Sequence, residues 1–120
     1  LENLLGGGAS SLLVLFVITA VTIYVTELVS NTATINMLMP VVIPLAIHTH
    51  VDAVPVVVTA AMAASFAFML PVSTPPNAIV YGTGRVRLPT MVRVGARLNL
   101  VCLAILVAAG AWLLPAIRFW

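Results

Sequence analysis

At 120 residues, with 62% hydrophobic and 7% charged side chains and a mean hydropathy of +1.22, the chain holds far more apolar surface than a soluble domain of its size can hide. The net charge of +2 comes from five arginines against three acids, with no lysine, and four of the arginines fall within residues 85–97, which is a topology signal and not a nucleic-acid footprint. These numbers exclude a soluble domain and predict an all-α integral membrane protein, or a piece of one, with the lipid bilayer as its solvent and no nucleic-acid partner.

The start Leu1-Glu2-Asn3 has no initiator methionine or basic segment, so no signal peptide is expected ahead of the apolar run and the chain reads as a fragment. Gly6-Gly7-Gly8 reads as a loop, with a close helix contact as the alternative. Residues 12–29 would reach about 27 Å as a helix, close to the hydrocarbon thickness. The run ends in Thr26-Glu27-Leu28-Val29-Ser30-Asn31-Thr32-Ala33-Thr34 with no basic flank, and a new apolar arm begins at once. A helical hairpin over residues 9–50, re-entrant and with its tip at 30–34, therefore fits better than two full spans, although a plain loop between spans has the same composition. Pro40 and Pro44 each remove a donor from the second arm, which is expected to kink. That arm ends at His48-Thr49-His50. Two histidines at i and i+2 do not share a helix face, so an outer loop is expected there and not a metal site.

Asp52 opens the next helix as an N-cap, with Pro55 in its first turn. Residues 53–70 are rich in alanine and serine, which let membrane helices approach closely. Residues 51–84 read as a discontinuous helix, broken at 71–77 by Pro71-Val72-Ser73-Thr74-Pro75-Pro76-Asn77. Residues 85–97, with Arg85, Arg87, Arg93 and Arg97, form a basic cytoplasmic segment in which Pro89 starts an interfacial helix. Residues 98–117 are an uncharged last span, anchored by Arg118-Phe119-Trp120, with the C-terminus outside. Trp112 fits a lipid-facing position, and Cys102, the one cysteine, a packing position.

Two polar breaks at membrane depth need partners inside the protein or in a bound solute. A broken helix offers free carbonyls to a hard cation and free N–H groups to a carboxylate, and small hydroxyl and amide side chains extend both sets. Glu27, the sole acid of the first arm, is expected to orient the hairpin or to meet a partner in a missing half, with direct sodium ligation as the alternative. There is no pairing of nucleophile and base, so an enzyme is not expected.

The residues 26–34 motif, followed by Phe68-Met69-Leu70-Pro71-Val72-Ser73-Thr74-Pro75-Pro76-Asn77-Ala78-Ile79-Val80-Tyr81 and Met91-Val92-Arg93-Val94-Gly95, resembles the C-terminal half of a divalent anion:sodium symporter, the family of sodium-coupled dicarboxylate and citrate transporters. The resemblance implies an inverted-repeat transporter of the plasma membrane, dimeric and of elevator type, whose N-terminal half lies outside this chain. It implies substrate contacts at Ser30, Asn31, Thr32, Thr74 and Pro75. It also implies a sodium site using Thr26, Asn31 and the backbone oxygens of Val29 and Ser73, where family members often have alanine at the position of Ser73. Sodium is then the coupling ion, no other cofactor is expected, and the substrate is a C4 dicarboxylate. A sulfate, citrate or arsenite transporter with another coupling ion, or a helical packing subunit without its own site, are the alternatives.

Overall fold

The computed structural model describes residues 2–117, with side chains from residue 9 to 116; the expected anchor at residues 118–120 lies outside them. Five helices follow in order: α1 (Glu2–Thr26), α2 (Asn31–His48), α3 (Ala53–Ala63), α4 (Pro75–Gly82) and α5 (Leu88–Ile117), with no strand among the described residues. Three stretches, Ala9–Thr26, Asn31–His48 and Leu88–Ala116, are long and apolar enough to cross a membrane. The chain is an all-helical, multi-pass membrane protein. Its overall extents are 56 × 25 × 20 Å.

The helices α1, α3 and α5 pack on one another, and α2 closes against α1 and α3. One apolar cluster joins Leu15 and Ile18 of α1, Val42 and Ala46 of α2, and Val56 and Ala60 of α3. A second joins Ile23, Ala63, Leu103 and Leu106, tying α5 to the end of α1. Small residues set the spacing. A Cβ on Gly110 would stand 2.7 Å from Leu15 Cδ2 and 2.8 Å from Thr59 Oγ1, so α5 crosses α1 and α3 at a glycine where any larger residue would displace those side chains. Threonines inside the bundle return their hydroxyl protons to their own helix: Thr19 to the Leu15 carbonyl and Thr22 to the Ile18 carbonyl, each at 2.7 Å.

Several boundaries differ from the sequence expectation. Gly6-Gly7-Gly8 lie within α1 and not in a loop, ahead of its apolar stretch Ala9–Thr26. The break between α1 and α2 falls at residues 27–30, and Asn31 to Thr34 already form the first turn of α2. The unwound stretch after α3 starts at Ala64 instead of Pro71 and lasts to Thr74. Pro75 and Pro76 open α4, at the first helical positions where a missing N–H costs little. Beyond Arg85 and Arg87, the basic segment and the last span are one helix, α5, of 30 residues or about 45 Å. It outruns the hydrocarbon layer, and its exposed Arg93 and Arg97 sit one turn apart near the end that projects.

Candidate functional site

The site grows out of the turn between α1 and α2. The N–H groups of Leu28 and Val29 both return to the Val25 carbonyl, at 3.0 and 3.1 Å, which folds the chain back in four residues. Ser30 caps α2: its Oγ accepts the Ala33 N–H at 3.3 Å, and its carbonyl accepts that of Thr34 at 2.8 Å. The Ser30 hydroxyl proton remains free to donate. Asn31 and Thr32 follow at the helix N-terminus, where the dipole and the open N–H groups favour negative charge.

Thr26 and Glu27, adjacent in sequence, both reach into the unwound stretch at 64–74. Thr26 is fully buried, and its Oγ1 lies 2.6 Å from the Ala64 carbonyl oxygen and 2.8 Å from Asn31 Oδ1. One hydroxyl proton faces two acceptors, so an oxygen there is left without a proton between it and its neighbour.

Glu27 is 3% exposed, and its carboxylate is surrounded by donors. The Phe68 N–H donates to Oε1 at 2.8 Å, the Met69 N–H to both oxygens at 3.0 and 3.1 Å, and the Leu70 N–H to Oε2 at 3.2 Å. The Asn99 amide donates to Oε1 at 2.7 Å, and Ser73 Oγ lies 2.6 Å from Oε2 and 2.8 Å from the Glu27 carbonyl oxygen.

These contacts supply what helix continuation past Ala63 would have supplied. A buried backbone group needs a partner, and the stretch 64–74 finds several away from any helix ladder. Three N–H groups go to Glu27, the Ala64 carbonyl takes Thr26, and the carbonyls of Ala67 and Leu70 take the Asn77 amide at 2.9 and 3.1 Å. The α5 helix packs closely against this stretch. A Cβ on Gly95 would collide with the Phe68 carbonyl and stand 2.6 Å from Met69 Cα.

Beside the tip lies an open pocket of 290 Å³. Asn31, Thr32, Ile35 and Asn36 line it from α2, Ala64 and Ser65 from the unwound stretch, and Ala61 from the end of α3. Of the residues expected at the site, Thr26 and Asn31 meet directly, and Asn31 and Thr32 face the pocket. Ser30 stands at its edge as the helix cap. Thr74 and Pro75 do not line the pocket; they begin α4. The side chain of Ser73 is turned toward Glu27, and the Ala64 carbonyl meets Thr26. Glu27 finds its partners within this chain.

Sequence reasoning missed Ala64, Ser65, Asn36 and Asn99. A signal existed for three of them. Asn99 is the lone amide of an otherwise apolar span, Asn36 falls one helical turn after Thr32, and Ser65 is the one polar residue of the run 60–72; polar groups are costly at membrane depth. Nothing local marks Ala64. His48 ends α2 and His50 takes a left-handed backbone with φ of 56° in the following turn, away from the tip.

A protein-family model described as the transmembrane region of sodium:sulfate symporters matches residues 1–120. The chain is 42% identical over 110 residues to the sodium-dependent dicarboxylate transporter SdcS of Staphylococcus saprophyticus, an alignment covering 92% of this chain and 21% of that protein. It is 43% identical over 102 residues to the Na(+)/dicarboxylate cotransporter 3 of Rattus norvegicus, covering 84% of this chain and 17% of the relative. To SdcS of Staphylococcus aureus it is 39% identical over 92 residues, covering 77% and 18%. The chain thus spans about a fifth of the length of the curated relatives it matches.

Proposed function

The chain belongs to the sodium:sulfate symporter family, and on that premise we propose that it supplies part of a secondary active transporter for small divalent anions, C4 dicarboxylates first, driven by sodium. The observation that carries this reading is the pairing at the tip. An oxygen cluster short of protons, made of Thr26, Asn31 and the Ala64 carbonyl, adjoins a polar pocket at the N-terminus of α2. Sodium takes oxygen ligands and would relieve the unshared lone pairs, while the helix N-terminus and the Ser30, Asn31 and Thr32 donors suit a carboxylate. A sodium ion held next to the anion offsets its charge without a fixed cationic side chain.

In this reading Thr26 and Asn31 hold sodium by their side chains, with Val29, Ser73 and Ala64 offering backbone oxygens. Ser30, Asn31 and Thr32 hold one carboxylate, and Thr74 and Pro75 approach the site when the anion is bound. The hairpin of α1 and α2 is re-entrant, the chain is the second half of an inverted repeat, and the full-length protein is a plasma-membrane dimer of elevator type with the basic segment cytoplasmic. The relatives named as dicarboxylate transporters support the substrate class. The description of the matching family favours a second reading, in which sulfate is the anion.

The test uses the full-length protein in proteoliposomes. Sodium-dependent uptake of labelled succinate is expected, competed by other C4 dicarboxylates and not by sulfate, and abolished by Asn31→Ala or Thr32→Ala. Uptake competed by sulfate alone selects the second reading, and normal succinate uptake by both variants overturns the assignment of these residues.

A further inference from the structure

We infer that Thr34 is a further oxygen ligand of the cation site at the tip, beside Thr26, Asn31 and the Ala64 carbonyl; this rests on the transport reading above. The starting point is an unpaired hydroxyl. Thr34 is 0% exposed, and its Oγ1 has no hydrogen-bond partner among the described residues. Other threonines of the bundle solve this within their own helix. Thr19, Thr22 and Thr49 each donate to the carbonyl four residues back, at 2.7, 2.7 and 2.8 Å, whereas at Thr34 only the main-chain N–H meets the Ser30 carbonyl. A buried hydroxyl left without a partner costs free energy, so its persistence needs a reason.

Burial also limits what can supply the partner. Atoms of this chain alone already enclose Thr34, and a segment from outside the chain cannot reach the hydroxyl without displacing them. That leaves an ion or a water molecule.

Register sets the hydroxyl at the level of the tip cluster. The buried positions of α2 are Thr34, Val42 and Ala46, with Leu38 on the same stripe, and Val42 and Ala46 share one apolar cluster with Ile18 of α1 and Val56 of α3. Short turns join α2 to both neighbours, so both run against it. Eight residues nearer the tip, about 12 Å along each axis, Val42 gives way to Thr34, Ile18 to Thr26 and Val56 to Ala64. Asn31, three residues before Thr34, shares its face of the helix and already accepts the Thr26 hydroxyl at 2.8 Å.

Ligands of one cation need not bond to one another. Hard cations hold oxygens at about 2.3–2.6 Å, so two ligands at right angles around one ion stand about 3.3–3.7 Å apart, at or beyond hydrogen-bond reach. A threonine oxygen brings lone pairs without charge, which extends a neutral cluster that is short of protons.

The experiment uses the full-length protein as wild type, Thr34→Val and Thr34→Ser. Valine keeps the shape and removes the oxygen, so the sodium concentration for half-maximal succinate uptake in proteoliposomes should rise about tenfold. The increase of Tm with added sodium in detergent should shrink with it. Serine keeps the oxygen and should retain the sodium dependence of wild type. Wild-type sodium dependence and Tm increase in Thr34→Val overturn the inference, and leave the hydroxyl turned to the Ser30 carbonyl or holding a water. An equal loss in Thr34→Ser and Thr34→Val assigns the effect to the missing methyl or to packing and overturns it as well. If Thr34→Val does not fold, Thr34→Ala is read by the same two measurements with the same outcomes. Absence of both sodium-dependent uptake and the sodium-induced Tm increase in the wild type overturns the transport reading instead.

Discussion

Thr26 and Glu27 are neighbours in sequence and contact the same unwound stretch, yet they build opposite environments. Around Glu27, donors exceed the need. Three backbone N–H groups, an amide and a hydroxyl close on two carboxylate oxygens, filling the lone-pair directions available to them. Around Thr26, protons run short, since one hydroxyl proton faces the Ala64 carbonyl and Asn31 Oδ1. A donor-saturated carboxylate is a poor cation ligand because its lone pairs are spent. An oxygen cluster lacking protons is a good one. On the proposed reading, one residue of displacement along the chain separates a clasp from a cation site, and acidity alone would have pointed to the other member of the pair.

If Glu27 is a clasp, its removal should act on the fold, and this is the largest effect expected. Glu27→Leu strands the N–H groups of residues 68–70 and the Asn99 amide, each at a cost of about 1–3 kcal/mol when buried and unpaired. The full-length variant should lose its monodisperse, thermally cooperative form in detergent, with or without sodium. Glu27→Gln keeps the shape but turns an amide into a ring of donors, and should fall between. A Glu27→Leu protein with wild-type Tm would show that residues 64–74 are held by other means and would dissolve the contrast.

The legibility of these two clusters in the sequence was unequal for a physical reason. The tip is signalled locally, because Ser-Asn-Thr in a run of apolar residues is both a helix start and a polar island. The clasp is long-range: Glu27 meets partners 41 to 46 residues away, and Asn99 is 72 away. Nothing in Ala64-Ser65-Phe66-Ala67-Phe68 forbids helix, so the break was expected to begin at Pro71, which lies within the unwound stretch, while Pro75 and Pro76 start α4. The division expected between the basic segment and the last span failed in the opposite sense. Arginine side chains can extend along their stems toward the interface, and the helix ladder beneath them continues undisturbed.

A smaller effect is expected at Thr26, and it should sharpen the contrast by falling on the cation. Thr26→Ala removes one oxygen ligand and the bond to Ala64, and the sodium concentration for half-maximal uptake should rise about tenfold. A site that binds sodium also raises Tm as sodium is added. That rise should be seen in wild type and in Thr26→Ser, which keeps the hydroxyl, and should shrink in Thr26→Ala. Equal sodium dependence in all three would remove Thr26 from the cation site and leave its hydroxyl a packing contact like those of Thr19 and Thr22.

Ser30 should give the smallest change in stability, and it separates capping from anion binding at the tip. Its cap bond to the Ala33 N–H is exposed and 3.3 Å long, so Ser30→Ala should cost about 0.5–1 kcal/mol, at the low end for such caps. Ser30→Asp restores a good cap and places a negative charge at the helix N-terminus, where the dipole favours it. Stability should therefore return to that of wild type. The same carboxylate would occupy the place of the incoming anion, so succinate uptake should fall further in Ser30→Asp than in Ser30→Ala. Stability and transport would then move in opposite directions across two substitutions at one residue, which a purely structural cap cannot produce. If Ser30→Asp transports as well as it folds, Ser30 is a cap alone and anion recognition at the tip begins at Asn31.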